Sequence, residues 1–161
     1  MSGPDIDAFK RRLTAAEGFL ELGLPQDAWD ELEEIEPEHR DALEVLKLRL
    51  NILIPMQRWE SAAILGDSII RKSPTDGDFF CLTAYAVRRC RSLVEARDTL
   101  LLGRELLQNA PVFHFNMACY ECQLGNLDTA KAYLATAFKL DPKWRVLALE
   151  EKDLEPLWKR A

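Results

Sequence analysis

Histidine is scarce in this sequence, and the short motifs of common enzyme classes are absent. The only histidines are His39, within EPEHRD, and His114, beside an apolar stripe. We expect His39 to be exposed at a helix start and His114 to be packed or at the surface. The sequence has no Gly-rich phosphate loop, no GxSxG elbow and no HExxH motif. The carboxylate run DELEEIEPEHRD is typical of a solvated helix face. We therefore expect no catalysis.

Long apolar runs and an excess of positive charge are also missing. No apolar stretch approaches the roughly 20 residues that cross a bilayer, and the opening MSGPD lacks a basic, apolar export signal. The net charge is −6, whereas nucleic-acid and anionic-membrane binders need excess Lys and Arg. Four cysteines without an export signal suggest reduced thiols. These features predict a cytoplasmic protein that binds neither nucleic acid nor membrane.

The motif CYEC, formed by Cys119 and Cys122, has the spacing of a metal or redox pair. A zinc site needs about four converging Cys or His ligands, but His114 would lie roughly 12 Å along a helix from Cys122. Thioredoxin-type pairs follow a strand, and no strand pattern occurs here. Cysteine packs well between helices as a small hydrophobe. We interpret both cysteines as packing residues and expect no metal or other cofactor, with metal and redox roles as weaker alternatives.

Small residues recur with a period of 34. One column is all alanine, and a second column twelve residues earlier is mostly alanine; the members are Ala28, Ala62, Ala96 and Ala130, and Ala16, Leu50, Ala84 and Ala118. Short breaks between the predicted helices recur at the same period, at Gly23, Gln57, Arg91 and Gly125. Apolar stripes with helical spacing lie on both sides of each break. Small residues at fixed positions let two helices pack closely. Each period therefore predicts an antiparallel helix pair.

A helix-turn-helix period of 34 resembles the tetratricopeptide repeat (TPR) family, most clearly in LGNLDTAKAYLATAFKLDP. The resemblance implies an all-α, right-handed α-solenoid of about four helix pairs. Residues 1–161 would form a single domain, with repeats at about 5–38, 39–74, 75–110 and 111–142. ALEEKDLEPLW resembles the closing segment of bacterial TPR proteins, so residues 143–161 would cap the last pair. Glu121 replaces an apolar residue of the other repeats, and we expect that part of its helix to be exposed or rotated.

The same resemblance implies a scaffold that binds an extended peptide or a helix of a partner protein in a concave groove. The groove positions are Lys47, Asn51, Ile54, Leu82, Tyr85, Arg88, Arg89, Phe115 and Asn116, with Cys81, Cys119 and Cys122 beside them. Lys47 and Asn51 resemble the opening pair of the family's carboxylate clamp, but Leu82, Val112 and Asn116 depart from the rest of it. We expect the basic residues to take acidic groups, the asparagines to pair with peptide backbone, and the aromatic rings to make apolar contact.

Other functions remain open at this point. A secretion-type or client-specific chaperone of similar size and acidity would hold an apolar client segment. A metal-binding module would use CYEC, and a helical-repeat RNA binder would need a basic groove, which the net charge of −6 opposes.

Overall fold

The computed structural model describes residues 3–159, and within this range the chain forms helices and no β-strand. None of the helices in this range is long and apolar enough to cross a membrane. Two 3₁₀ turns, Pro37–His39 and Lys152–Leu157, accompany the α-helices. The α-helices are α1 (Gly3–Glu21), α2 (Pro25–Glu33), α3 (Leu43–Leu53), α4 (Trp59–Lys72), α5 (Asp78–Cys90), α6 (Leu93–Leu101), α7 (Arg104–Leu107), α8 (Pro111–Gln123), α9 (Leu127–Leu140) and α10 (Trp144–Glu150).

The chain divides into two compact units, one ending at Lys72 and the other beginning at Ser73. In the first unit α1 packs on α2 and α3 packs on α4, with α2 also against α3. In the second unit α5 packs on α6 and α8 packs on α9, with α6 also against α8. That residues 1–161 form a single domain with the repeat bounds given above remains a prediction.

Both small-residue columns lie inside the helix packing. All eight side chains, Ala28, Ala62, Ala96, Ala130, Ala16, Leu50, Ala84 and Ala118, are fully buried at 0% exposure. Complete burial of the seven alanines fits the physical reason for the columns, since a larger side chain at those positions would push the paired helices apart. The alanine spacing therefore predicted buried positions on the paired helices.

Three of the four breaks are closed by the same turn. Gly23, Gln57 and Gly125 all have left-handed backbone, with φ of 74°, 57° and 86°. At the last of them, the Gly125 amide donates to the Cys122 carbonyl over 3.0 Å and the Asn126 amide to the Glu121 carbonyl over 2.9 Å. The same two bonds close the turns at Gly23 and Gln57. This is the Schellman arrangement, in which a left-handed residue satisfies the last carbonyls of a helix.

The third break uses a different device. Arg91 does not take the left-handed conformation, and the next residue, Ser92, caps α6 instead. The Ser92 hydroxyl accepts from the Glu95 amide over 3.1 Å and donates to the Glu95 carboxylate over 3.0 Å. A Ser and a Glu three residues apart form a close variant of the capping box that starts many helices.

The end of α2 is stabilised by an arginine side chain. The helix ends at Glu33, before Glu36 and Pro37. The Arg40 guanidinium donates to the carbonyls of Glu33 and Ile35 over 2.7 and 2.9 Å, and so satisfies the helix end. His39 is half-buried rather than exposed, because its ring packs edge-on against Phe9 at 6.2 Å.

The residues after α9 cover the last helix pair. We call residues 143–159 the capping segment; the final two residues of the predicted segment, 160–161, lie outside the described part of the chain. α10 and Lys152–Leu157 pack against α8 and α9. Leu154 is fully buried there, in a core that includes Phe115, Cys119 and Ala148.

Glu121 is buried, which corrects the expectation that its position is exposed or rotated. Its carboxylate accepts from the Asn126 side-chain amide over 2.7 Å and lies 3.5 Å from a guanidinium nitrogen of Arg97 on α6. A buried carboxylate is tolerated only where partners replace its lost hydration. Here one partner comes from the turn and the other from the preceding helix pair.

Candidate binding surface

In the first unit, the predicted binding residues lie on α3 and at its C-terminal end. Lys47, Asn51 and Ile54 are spaced by four and three residues, so they share one side of the helix. All three are half-buried, whereas Val45, Ile52 and their apolar neighbours on the other side are buried. The structure thus places these three side chains on one partly exposed stripe of α3.

In the second unit, a stripe of α5 combines an apolar, an aromatic and a basic side chain. Leu82, Tyr85 and Arg89 lie at spacings of three and four residues, which places them on the same side of the helix. Leu82 is half-buried and Arg89 is exposed, while Tyr85 is 44% exposed, which is unusual for a ring on a packed helix. We call these three residues the α5 stripe.

Arg88 does not belong to this accessible stripe. Its guanidinium makes a bidentate ion pair with Asp153 of the capping segment, with N–O distances of 2.5 and 2.9 Å. The guanidinium carbon also lies 5.6 Å from the centroid of the Tyr120 ring. The hydrogen bonds with Asp153 raise the pKa of Arg88. Arg88 therefore fastens the capping segment to α5, a role that the sequence prediction of a groove cation missed.

The backbone around Asp153 is held as well. Its carbonyl accepts from the Gln123 side chain over 2.8 Å, and its amide donates to the Glu151 carboxylate over 3.2 Å. Because α5, α8 and the capping segment all contribute, the position of the Asp153 carboxylate is set by several elements at once. The only sequence signal was that Asp153 lies in the predicted capping segment.

Phe115 is a correction to the predicted groove. Only 7% of it is exposed, and its ring centroid lies 4.9 Å from that of Trp144 in the capping segment. The capping segment covers this side of α8, so Phe115 contributes to the core instead of offering a face to a peptide. Asn116, the next predicted residue, is half-buried and its side chain hydrogen-bonds the Cys81 thiol.

Cys119 and Cys122 are buried in the core between α8, α9 and the capping segment. Burial raises the pKa of both thiols, and it raises the pKa of Cys81 to about 11 against the opposing hydrogen bond from Asn116. A thiol with a raised pKa is a poor nucleophile and a poor metal ligand at neutral pH. Within residues 3–159, no group of three or more His, Cys, Asp or Glu side chains could hold a metal ion. The burial of Cys119 and Cys122 in this core agrees with a packing role.

Comparison with known proteins finds similarity in fold and none in sequence. No protein-family model matches it, and no curated protein matches its sequence. Solved structures of MamA, a TPR-like all-helical protein, are similar in fold. A MamA RS-1 double mutant superposes with a TM-score of 0.76 at 12% identity, covering 84% of this chain and 76% of that one.

Two further MamA structures agree. One is MamA 41-end from Desulfovibrio magneticus RS-1, with a TM-score of 0.76, 12% identity, and coverage of 83% of this chain and 76% of that one. The other is MamA AMB-1, with a TM-score of 0.70, 18% identity, and coverage of 81% and 76%. The predicted all-α class and TPR-like fold are thereby confirmed.

Proposed function

We propose that this chain is a protein–protein interaction scaffold that carries out no reaction and binds a peptide or helix of a partner protein. The observation that carries the proposal is the α5 stripe, where a 44% exposed Tyr85 ring lies beside Leu82 and Arg89. Aromatic and arginine side chains dominate binding energy at protein interfaces. The TPR-like fold supports the same class of function by analogy only.

The chemistry of the stripes suggests which groups of a partner they bind. On α5, the Tyr85 ring and Leu82 would bury an apolar side chain, and Arg89 would pair with a neighbouring carboxylate. On α3, the Asn51 amide would pair with peptide backbone and Lys47 with a second acidic group, while Ile54 adds apolar contact. The favoured partner segment is therefore apolar with scattered acidic residues.

The test removes the aromatic and basic character of the α5 stripe without touching the core. We compare the wild-type protein with a Tyr85→Ala, Arg89→Glu variant as bait in extracts of the source cell, with quantitative mass spectrometry of the captured proteins. The matched control is Leu102→Ala with Arg104→Glu, which alters an exposed leucine and an exposed arginine elsewhere in the same unit. Circular dichroism checks that both variants keep the helical fold.

We expect at least one protein to be captured by the wild type and the control but lost with the stripe variant. Titration of that purified partner should show binding to the stripe variant at least tenfold weaker, and wild-type binding should weaken with added salt. Identical capture by all three proteins would remove the α5 stripe from the binding surface. A Lys47→Glu, Asn51→Ala variant tests the α3 stripe in the same way.

A further inference from the structure

A second groove lies in the second unit, away from the predicted binding positions. It has a volume of about 460 Å³ and runs between α9 and the capping segment. Most of its lining is apolar, contributed by Leu134 and Phe138 on α9 and by Leu149 and Trp158 of the capping segment. We call it the terminal groove.

Part of the apolar lining of the terminal groove is open to water. Leu149 is 71% exposed, and Val146, three residues earlier on α10 and outside the lining, is 62% exposed. Residues three apart share one helix face, so the two side chains form a continuous apolar strip. Contiguous exposed apolar surface of this kind marks interaction sites on folded proteins.

The charged residues that line the groove are all basic. They are Lys131 on α9 and Arg145 on α10, and no carboxylate lines it. Neither cation forms an ion pair with any residue of the described chain, 3–159. The Arg145 guanidinium lies 5.8 Å from the centroid of the Phe138 ring, directly over the apolar lining. An occupant should therefore combine apolar side chains with carboxylates.

The position of the groove indicates that the occupant is a helix. α10 begins about one repeat length after α8 and packs on α8 and α9, as the first helix of another pair would. In the preceding pairs a second helix follows, but after α10 the chain enters the 3₁₀ turn Lys152–Leu157. A channel between neighbouring helices fits a third helix, whose side-chain ridges enter the groove.

We infer that the terminal groove binds an acidic amphipathic helix of a partner protein, seated on Leu149 and Phe138 with its carboxylates on Lys131 and Arg145. A second copy of this chain is the weaker candidate. Its own acidic amphipathic helix, α2, already buries Ala28 and Leu32 completely within the first unit.

The experiment uses two synthetic helical peptides of equal length with the same leucine positions. One carries glutamate at the flanking positions and the other carries lysine. Fluorescence anisotropy of labelled peptides measures their binding to the full chain. We expect the glutamate peptide to bind at least tenfold more tightly than the lysine peptide, with the difference shrinking as salt is raised.

Two variants locate the binding. Lys131→Glu with Arg145→Glu should reverse the preference between the peptides, whereas Lys139→Glu with Lys152→Glu should leave it unchanged. The second pair changes net charge equally but consists of exposed lysines that do not line the groove. Leu149→Ser, at an exposed position, should weaken binding of the glutamate peptide at least tenfold while preserving the fold.

Equal affinity for the two peptides, no binding of the glutamate peptide, or an unchanged preference in the Lys131, Arg145 variant would each overturn the inference. So would a concentration-dependent dimer in sedimentation that Leu149→Ser abolishes, because the occupant would then be a second copy. The α5-stripe variant Tyr85→Ala, Arg89→Glu should bind the glutamate peptide normally. Failure of this inference is thereby distinguishable from failure of the proposed scaffold function.

Discussion

Gln57 occupies a backbone conformation that the equivalent turns give to glycine, and replacing it should stabilise the protein. Its φ is 57°, close to the 74° and 86° of Gly23 and Gly125. The Gln57 amide donates to the Ile54 carbonyl over 2.9 Å, and the Arg58 amide to the Leu53 carbonyl over 3.1 Å. Gln57→Gly would keep both hydrogen bonds, because they involve only the backbone.

The magnitude follows from two opposing terms. A residue with a Cβ pays about 1–2 kcal/mol in the left-handed region, where its Cβ crowds the carbonyl. Glycine loses more conformational freedom on folding, which costs about 0.5–1 kcal/mol. Gln57 is exposed, so no buried packing is lost on substitution. The net expectation for Gln57→Gly is a gain of about 0.5–1 kcal/mol, or about 1–4 °C in melting temperature for a chain of this size.

Two glycines in and after α1 provide matched controls. A Cβ added at either Gly18 or Gly23 would meet nothing within 4 Å, but only Gly23 has a positive φ. Gly18→Ala should therefore stabilise the protein by up to about 1 kcal/mol through helix propensity, and Gly23→Ala should destabilise it by about 1 kcal/mol. Thermal and urea unfolding followed by circular dichroism measure all three variants. A lower melting temperature for Gln57→Gly, or equal shifts for the two alanine variants, would refute the reasoning.

Three further predictions concern packing, the capping segment and the thiols. Ala96→Leu, at a fully buried position, should cost roughly 1–3 kcal/mol in urea unfolding, whereas Ala132→Leu on an exposed position of α9 should change stability by about 0.5 kcal/mol or less. Asp153→Asn removes the charge from a partly exposed ion pair and should lower the free energy of unfolding by about 1–2 kcal/mol. Hydrogen exchange of the backbone in 152–157 should become faster. Unchanged exchange would contradict the role of Asp153 in fastening the capping segment. Because raised pKa values keep the thiols protonated at pH 8, Cys119 and Cys122 should react with Ellman's reagent only on unfolding. The Cys119→Ala, Cys122→Ala double variant should retain any bound zinc. Rapid labelling of the folded protein, or zinc that is lost with the double substitution, would assign the pair a chemical role.

The helix pairs could be predicted from the sequence because close helix packing restricts side-chain size. Few residues other than alanine fit where two helices cross closely in the core. The identity of Ala28, Ala62, Ala96 and Ala130 therefore indicates where the helices pack. The turn at Gln57 shows the limit of such reasoning. Glutamine has no preference for left-handed backbone, and only its place in the period indicated a break there.

The environment of Glu121 could not be predicted from its own helix. The repeat pattern calls for an apolar residue, and a carboxylate there suggested exposure. The partners that make its burial possible, Arg97 and Asn126, come from a different pair and from the following turn. A buried ionic group depends on several residues at once. Comparing equivalent positions of the repeats one at a time does not show that these residues are partners.

The same limit applies to Arg88, which the repeat pattern predicts to be a groove residue. The period predicts which residues share a helix side, but it contains no information on the segment that follows the last pair. Asp153 belongs to that non-repeating segment, 65 residues downstream, and its carboxylate takes both guanidinium contacts that a partner would need. Under the proposed function, the basic groups offered to an acidic partner are Lys47 on α3 and Arg89 on α5. Each stripe then contributes one cation, and we expect the Tyr85 ring to be the largest source of affinity on α5, because aromatic side chains dominate binding energy at protein interfaces.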